Sequence, residues 1–170
     1  MAPQRTLDDL LTPAPIVDLD PMAGNLDRMA TYSRQAGVAL RPHTKTHKTP
    51  EFAAEQLKRG AVGVTVATLR EAEVMSAVAE DILLAYPPVG PQKLKRLFEL
   101  PGHVRITVGL DSTEALKGLE KAAREHDRTI GVLVEIDAGM HRVGVAEHEQ
   151  TLRLSRPALE RSMIHWRSLM

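Results

Sequence analysis

Between Arg41 and Lys48 the chain reads RPHTKTHK, and five of these eight side chains are cationic or become so on protonation. The stretch follows the apolar run GVAL and precedes a helix start at Thr49-Pro50. So much positive potential at the end of an apolar run calls for something negative to receive it. Side chains alternate across an extended chain, so Val38, Leu40 and Pro42 share one face while Ala39, Arg41, His43 and Lys45 share the other, joined by His47 if the strand persists. A lysine partly desolvated there among cationic neighbours has its ammonium disfavoured and its free amine favoured. That is the requirement for a Schiff-base nucleophile. Two plainer readings stand beside it. One is a solvated basic loop; the other is a His43/His47 metal pair, whose spacing of four suits one helical face. Pro42 and the preceding alternation oppose a helix there, and the intervening Lys45 would repel a metal ion.

A second stretch, GVLVEIDAGMHRVGV at residues 131–145, turns charge inward in the same way. Val132, Val134 and Ile136 share one face; Leu133, Glu135 and Asp137 share the other. The loop beyond supplies Gly139 and Arg142. A carboxylate at a strand end and an arginine seven residues on can meet as the loop folds back, which would fix the guanidinium as a directed donor. The plainer alternative is a surface loop with a stray arginine.

These segments belong to a regular rhythm. Short β-rich runs (PIVDLD, VALRPH, AVGVTVA, DILLAYP, VRITVGL, IGVLVEIDAG, MIHWRSLM) alternate with helical patterns. Asp20-Pro21 is placed to cap a helix ending near Gln35, Thr49-Pro50 opens one to Arg59, and Thr68-x-x-Glu71 and Asp111-x-x-Glu114 read as capping boxes. A last helix spans about Glu147 to Arg161. Parallel strands need crossovers that helices supply, so the fold class is α/β with a parallel sheet. No G-x-G-x-x-G follows a strand, which weakens a dinucleotide-binding reading. The final strand has no helix after it, so the chain reads as cut off. His103, His126 and His148 are expected in surface loops or at helix ends, and Trp166 in the core.

Composition narrows the function classes. The 170 residues have the length of one domain, and 22 basic residues balance 22 acidic ones, so no global field points to nucleic acid or an anionic membrane. Cysteine is missing, which excludes disulfides, thiolate zinc sites and a catalytic thiol. There is neither a signal-like h-region nor a run near the roughly 20 apolar residues of a membrane span. The expectation is a cytoplasmic protein.

RPHTKTHK together with EIDAGMHRVGV resembles the D-threonine aldolase and D-serine dehydratase family, fold-type III pyridoxal-phosphate enzymes related to alanine racemases. GVTVATLREAEV and DILLAYPPVGPQKL are similar to the same family, and the likeness runs from about Thr12 to the end of the chain. It implies that Lys45 is the catalytic Schiff-base lysine for pyridoxal 5'-phosphate, with His43 beside the cofactor, and that Arg142 bonds the phenolic oxygen of the pyridine ring. Glu135 matches a lysine that is often carbamylated in alanine racemases; a native carboxylate would hold Arg142 directly. The implied fold is a partial (β/α)8 TIM barrel of the alanine racemase N-terminal type, with residues 1–170 forming the N-terminal part of the barrel domain and the C-terminal β domain missing. Counting from VALRPH gives six barrel strands, PIVDLD joining the second domain in relatives. By resemblance the full-length form is a lyase acting on D-3-hydroxy amino acids, by retro-aldol cleavage or β-elimination. Its small-molecule substrate is a D-amino acid, and its state is monomer or homodimer. A divalent metal is expected in the full-length family, with its site outside this chain. The fragment alone is expected to be poorly stable and inactive. An amino-acid racemase, a non-catalytic PLP-binding protein and a phosphate-binding α/β scaffold are the alternatives.

Overall fold

The computed structural model describes residues 6–146, 148–160 and 163–169, without the side chains of 148, 157–160 and 166–169. Five strands form one parallel sheet: β1 (Val64–Val66), β2 (Asp81–Leu84), β3 (Arg105–Leu110), β4 (Ile130–Val134) and β5 (Ile164–Leu169), in the order β1-β2-β3-β4-β5. Residues 40–44 extend this ladder beyond β1. Val62 N–H donates to Leu40 O, Thr65 N–H to Pro42 O and Thr44 N–H to Thr65 O, at 2.8–2.9 Å, with a parallel bridge between His43 and Thr65. Consecutive neighbours in space are therefore consecutive in sequence. With right-handed crossovers, that order brings every connecting helix to the same face, as in a barrel wall.

The helices are α1 (Leu19–Gln35), α2 (Pro50–Lys58), α3 (Leu69–Met75), α4 (Pro91–Phe98), α5 (Thr113–Glu125) and α6 (His148–Glu160). In α5, Ala115, Leu116, Leu119, Ala122 and Ala123 repeat at helical spacing and are all buried. They meet the outward strand residues Ile82, Leu84, Val108, Leu110, Val132 and Val134, each almost fully buried. Each such aliphatic side chain contributes about 1.5–3 kcal/mol of burial free energy. Asp81, Leu83, Thr107, Leu133 and Glu135 occupy the opposite face, so alternation along the strands sorts apolar packing from chemistry.

Several boundaries differ from expectation. The N-cap of α1 is Asp18, whose carboxylate accepts from Asp20 N–H at 3.1 Å; Asp20 and Pro21 lie inside the helix. Residues 15–18 of PIVDLD form no strand, and Ile16 and Val17 stay exposed, because no neighbouring ladder among the described residues takes up their backbone groups. Ser112 rather than Asp111 caps α5, accepting from Ala115 N–H at 3.3 Å. Thr68 caps α3 through Glu71 N–H at 3.2 Å, but the Glu71 carboxylate does not close the box on Thr68. It accepts from Ala67 N–H at 2.8 Å instead. His126 sits at the end of α5 as expected, stacked on Phe98, and His103 is exposed; the side chains of His148 and Trp166 lie outside the described residues.

Candidate functional site

The strand does not persist to His47. At Thr44 the chain enters a turn closed by Lys48 N–H donating to Thr44 O at 2.8 Å, with Lys48 in the left-handed region at φ 53. Thr44 is fully buried, and its hydroxyl donates to Thr65 O at 3.3 Å. Lys45 therefore rises on the turn just beyond the last strand residue. His47 is carried away to the α2 side, where its ring meets Phe52 at 5.7 Å and its Nδ1 accepts from Thr49 N–H at 3.0 Å.

The cations of RPHTKTHK divide by position. Arg41, at the opposite end of the strand, pairs with Asp81 at 2.7 Å; Asp81 also takes Arg105 at 3.1 Å, tying the first three extended segments together. Lys48 pairs with the buried Glu71. Burial raises the Glu71 pKa, but hydrogen bonds from Lys48 and Ala67 and the Lys48 and His43 charges outweigh it, and the carboxyl ends below its ordinary value. Lys45 has no hydrogen-bonded or ionic partner for its amine among the described residues. It is exposed rather than partly desolvated, because the sheet is open at the edge where it stands. Burial first, then the Lys45 charge, pushes the His43 imidazole below its ordinary 6.5. His43 is thus neutral at pH 7. Its Nδ1 accepts from Lys45 N–H at 3.2 Å, a bond that assigns the ring proton to Nε2.

The second strand end is built around Glu135, 5% exposed and turned to the inner face. Its backbone continues the ladder, donating to Leu110 O at 2.9 Å. Its carboxyl lies so near Gly109 that a Cβ there would be 2.6 Å from Oε1. Oε2 has no hydrogen-bond partner among the described residues. Burial, and secondarily the Asp111 charge, raises the Glu135 pKa. Arg142 is exposed, with no hydrogen bond or ion pair among the described residues, so the expected Glu135–Arg142 contact is not made. The reason is local. Asp137 gathers the loop onto itself, accepting from Gly139 N–H at 2.9 Å and His141 N–H at 3.0 Å and pairing with His141 Nδ1 at 3.0 Å. Val145 N–H then returns to Glu135 O at 2.9 Å, leaving Arg142 outward on the loop.

Two participants escaped sequence reasoning. Glu71 looked like half of a capping box, and only its burial beside Lys48 reveals a charge receiver. Asp111 looked like an N-cap, yet its Oδ2 accepts from Gly144 N–H at 3.2 Å across to the second loop. The displaced cap, one residue short of the better-placed Ser112, was the available signal.

A sequential parallel sheet with helices on one face, and two charged strand ends at its C-terminal rim, one on the segment flanking β1 and the other following β4, defines a segment of a (β/α) barrel with a polar mouth. Residues 17–170 match the family model described as alanine racemase, N-terminal domain, and the chain belongs to that family. It is 37% identical over 148 residues to the D-threonine aldolase of Arthrobacter sp, covering 86% of this chain and 39% of that protein. It is also 37% identical over 153 residues to the D-threo-3-hydroxyaspartate dehydratase of Delftia sp. (strain HT23), covering 89% and 40% respectively. The crystal structure of D-threonine aldolase from Filomicrobium marinum superposes with a TM-score of 0.91 at 36% identity, over 96% of this chain and 44% of that one. The chain thus spans about 40% of the length of these curated relatives. Among the described residues, no helix is long and apolar enough to cross a membrane.

Proposed function

We propose that these residues form the lysine-bearing part of a pyridoxal-phosphate-dependent lyase acting on D-3-hydroxy amino acids, and that they constitute the N-terminal part of its barrel domain. The observation that carries the reading is the segregation of charge in RPHTKTHK: Arg41 and Lys48 hold carboxylates, whereas Lys45 stands free of one beside a neutral His43. An amine locked into an ion pair is a poor nucleophile, and Lys45 is not so locked. The relatives named aldolase and dehydratase support the reaction class.

The residues fit the cofactor in chemistry. Lys45 supplies the amine that binds its aldehyde covalently, and His43 offers a neutral ring with its proton on Nε2. The buried, unpartnered Oε2 of Glu135 is suited to a cationic donor, and Arg142 is the arginine its own loop carries. When bound, the cofactor supplies the electron sink that stabilises a carbanion at the substrate Cα. The amine of Lys45 would accept or return a proton at that carbon. His43, uncharged, places no second cation against the amine. The described residues offer no cluster of three or more His, Asp or Glu side chains for the divalent metal expected of the family, and none of them is assigned to it.

The test is spectroscopic. Pyridoxal phosphate added to the protein should give an absorbance band near the visible edge that Lys45→Ala removes and Lys48→Ala retains. A band that survives Lys45→Ala sinks the assignment. Release of aldehyde or 2-oxo acid from D-threonine and D-serine, with and without divalent metal, then separates aldolase from dehydratase; no product from either would favour a non-catalytic carrier.

A further inference from the structure

We propose that Asp111 is a positioning residue for Arg142: from the end of β3 it holds the loop that carries the arginine, next in the sheet to the strand end whose buried carboxyl is suited to receive it. The inference rests on the cofactor reading only in assigning Arg142 a ligand-facing role. Three observations carry it. Asp111 Oδ2 accepts from Gly144 N–H at 3.2 Å, two residues beyond Arg142. Glu135 is 95% buried, being 5% exposed, and its Oε2 has no partner among the described residues, which leaves room for the cation or donor that a buried carboxylate requires. The Asp111 charge adds to burial in raising the Glu135 pKa.

The groups facing Glu135 make this specific. From β3 come Gly109, in close approach, and Asp111; along β4 the same face carries Leu133, which is apolar. Asp137, two residues on, is occupied by His141 and Gly139. Burial first, with the Asp111 charge adding to it, raises the Glu135 pKa, so Glu135 holds its proton more tightly than a free carboxyl does. A guanidinium entering between the two carboxyls replaces that proton: Glu135 releases it to solvent and accepts from Arg142 instead. Asp111 thereby does two separable things. Its oxygen pins the loop at Gly144, and its charge sets how readily Glu135 exchanges a proton for the arginine.

Asparagine keeps the oxygen and removes the charge, whereas alanine removes both. In the chain without cofactor, the carbon-13 carboxyl resonance of Glu135, identified by its loss in Glu135→Gln, is followed against pH with the Arg142 Nε–H signal and the exchange rate of the Gly144 amide. The Arg142 signal should respond over the pH range in which Glu135 titrates. Asp111→Asn should move both midpoints down together and leave Gly144 protected; Asp111→Ala should also abolish the Arg142 response and expose the Gly144 amide. If Asp111→Ala does not fold, the Asp111→Asn shift decides. A Glu135 midpoint unmoved in Asp111→Asn, or an Arg142 signal indifferent to Glu135 in the parent chain, overturns the proposal. Because no cofactor is added, a wrong assignment of Lys45 leaves this result intact, and failure here leaves the Lys45 absorbance test standing.

Discussion

Lys48 and Glu71 form an ion pair in which the lysine is exposed and the carboxylate is buried beneath it. Of the two lysines three residues apart in RPHTKTHK, one is thereby committed to holding the turn and the other is left free. Removing Lys48 leaves Glu71 buried with the Ala67 N–H as its remaining bond among those described here. Lys48→Met should cost about 1–3 kcal/mol, the usual penalty for a buried group stripped of one partner, and be read as a lower urea midpoint at pH 7. A midpoint equal to that of the parent chain would show the pair to be idle.

The same carboxyl gives an acid-side signature. Its folded pKa is depressed, so the stability it contributes is present above its ordinary 4.5 and lost as pH falls through the folded value. Glu71→Gln should flatten the stability curve below pH 4.5 relative to the parent. Parallel curves would contradict the assignment.

Glu135 carries the opposite sign. Burial, with Asp111 adding to it, raises its folded pKa above 4.5, so the folded state binds the proton more tightly. The contribution is complete below 4.5 and is lost as pH rises through the folded value. Glu135→Gln should therefore gain stability relative to the parent from pH 4.5 upward, with denaturant midpoints as the readout. A variant that loses ground at high pH would mean that the carboxylate is paired as an anion.

Gly144 has φ +99, and a Cβ on it would sit 2.6 Å from Asp137 N. Gly144→Ala combines a left-handed backbone with a clash against main chain, and should cost about 1–3 kcal/mol or open the loop. Loss of protection at the Val145 amide by hydrogen exchange distinguishes opening from global destabilisation. Unchanged stability and protection would mean the loop is not held as described.

Arg128 donates to Leu100 O at 2.5 Å, Val104 O at 2.7 Å, Pro101 O at 3.1 Å and Phe98 O at 3.3 Å, closing the turn between α4 and β3. Arg128→Ala strands several carbonyls together and should cost about 2–4 kcal/mol, given roughly 1–3 kcal/mol for each buried acceptor left unmet. Arg128→Lys should recover only part, since an ammonium lacks the planar fork. Full recovery by lysine would reduce the role to charge alone.

Much of this was legible along the chain. The alternation of short apolar runs with helical patterns specified the parallel sheet, because strand period and crossover length are properties of neighbouring residues. Alternation also turned Glu135 inward and put Lys45 at the strand end. What local pattern could not supply was the identity of partners distant in sequence. Glu71 lies 23 residues from Lys48, and Gly144 lies 33 from Asp111, and in each case a residue legible as a helix cap is diverted to a long-range contact. Capping energies of about 1 kcal/mol are too small to resist a buried ion pair or a better-placed serine one residue on. Sequence by itself therefore determined the sheet, its faces and the residues capable of chemistry. Only the tertiary structure decided which cation each carboxylate takes, because that depends on which strand ends the sheet order places side by side.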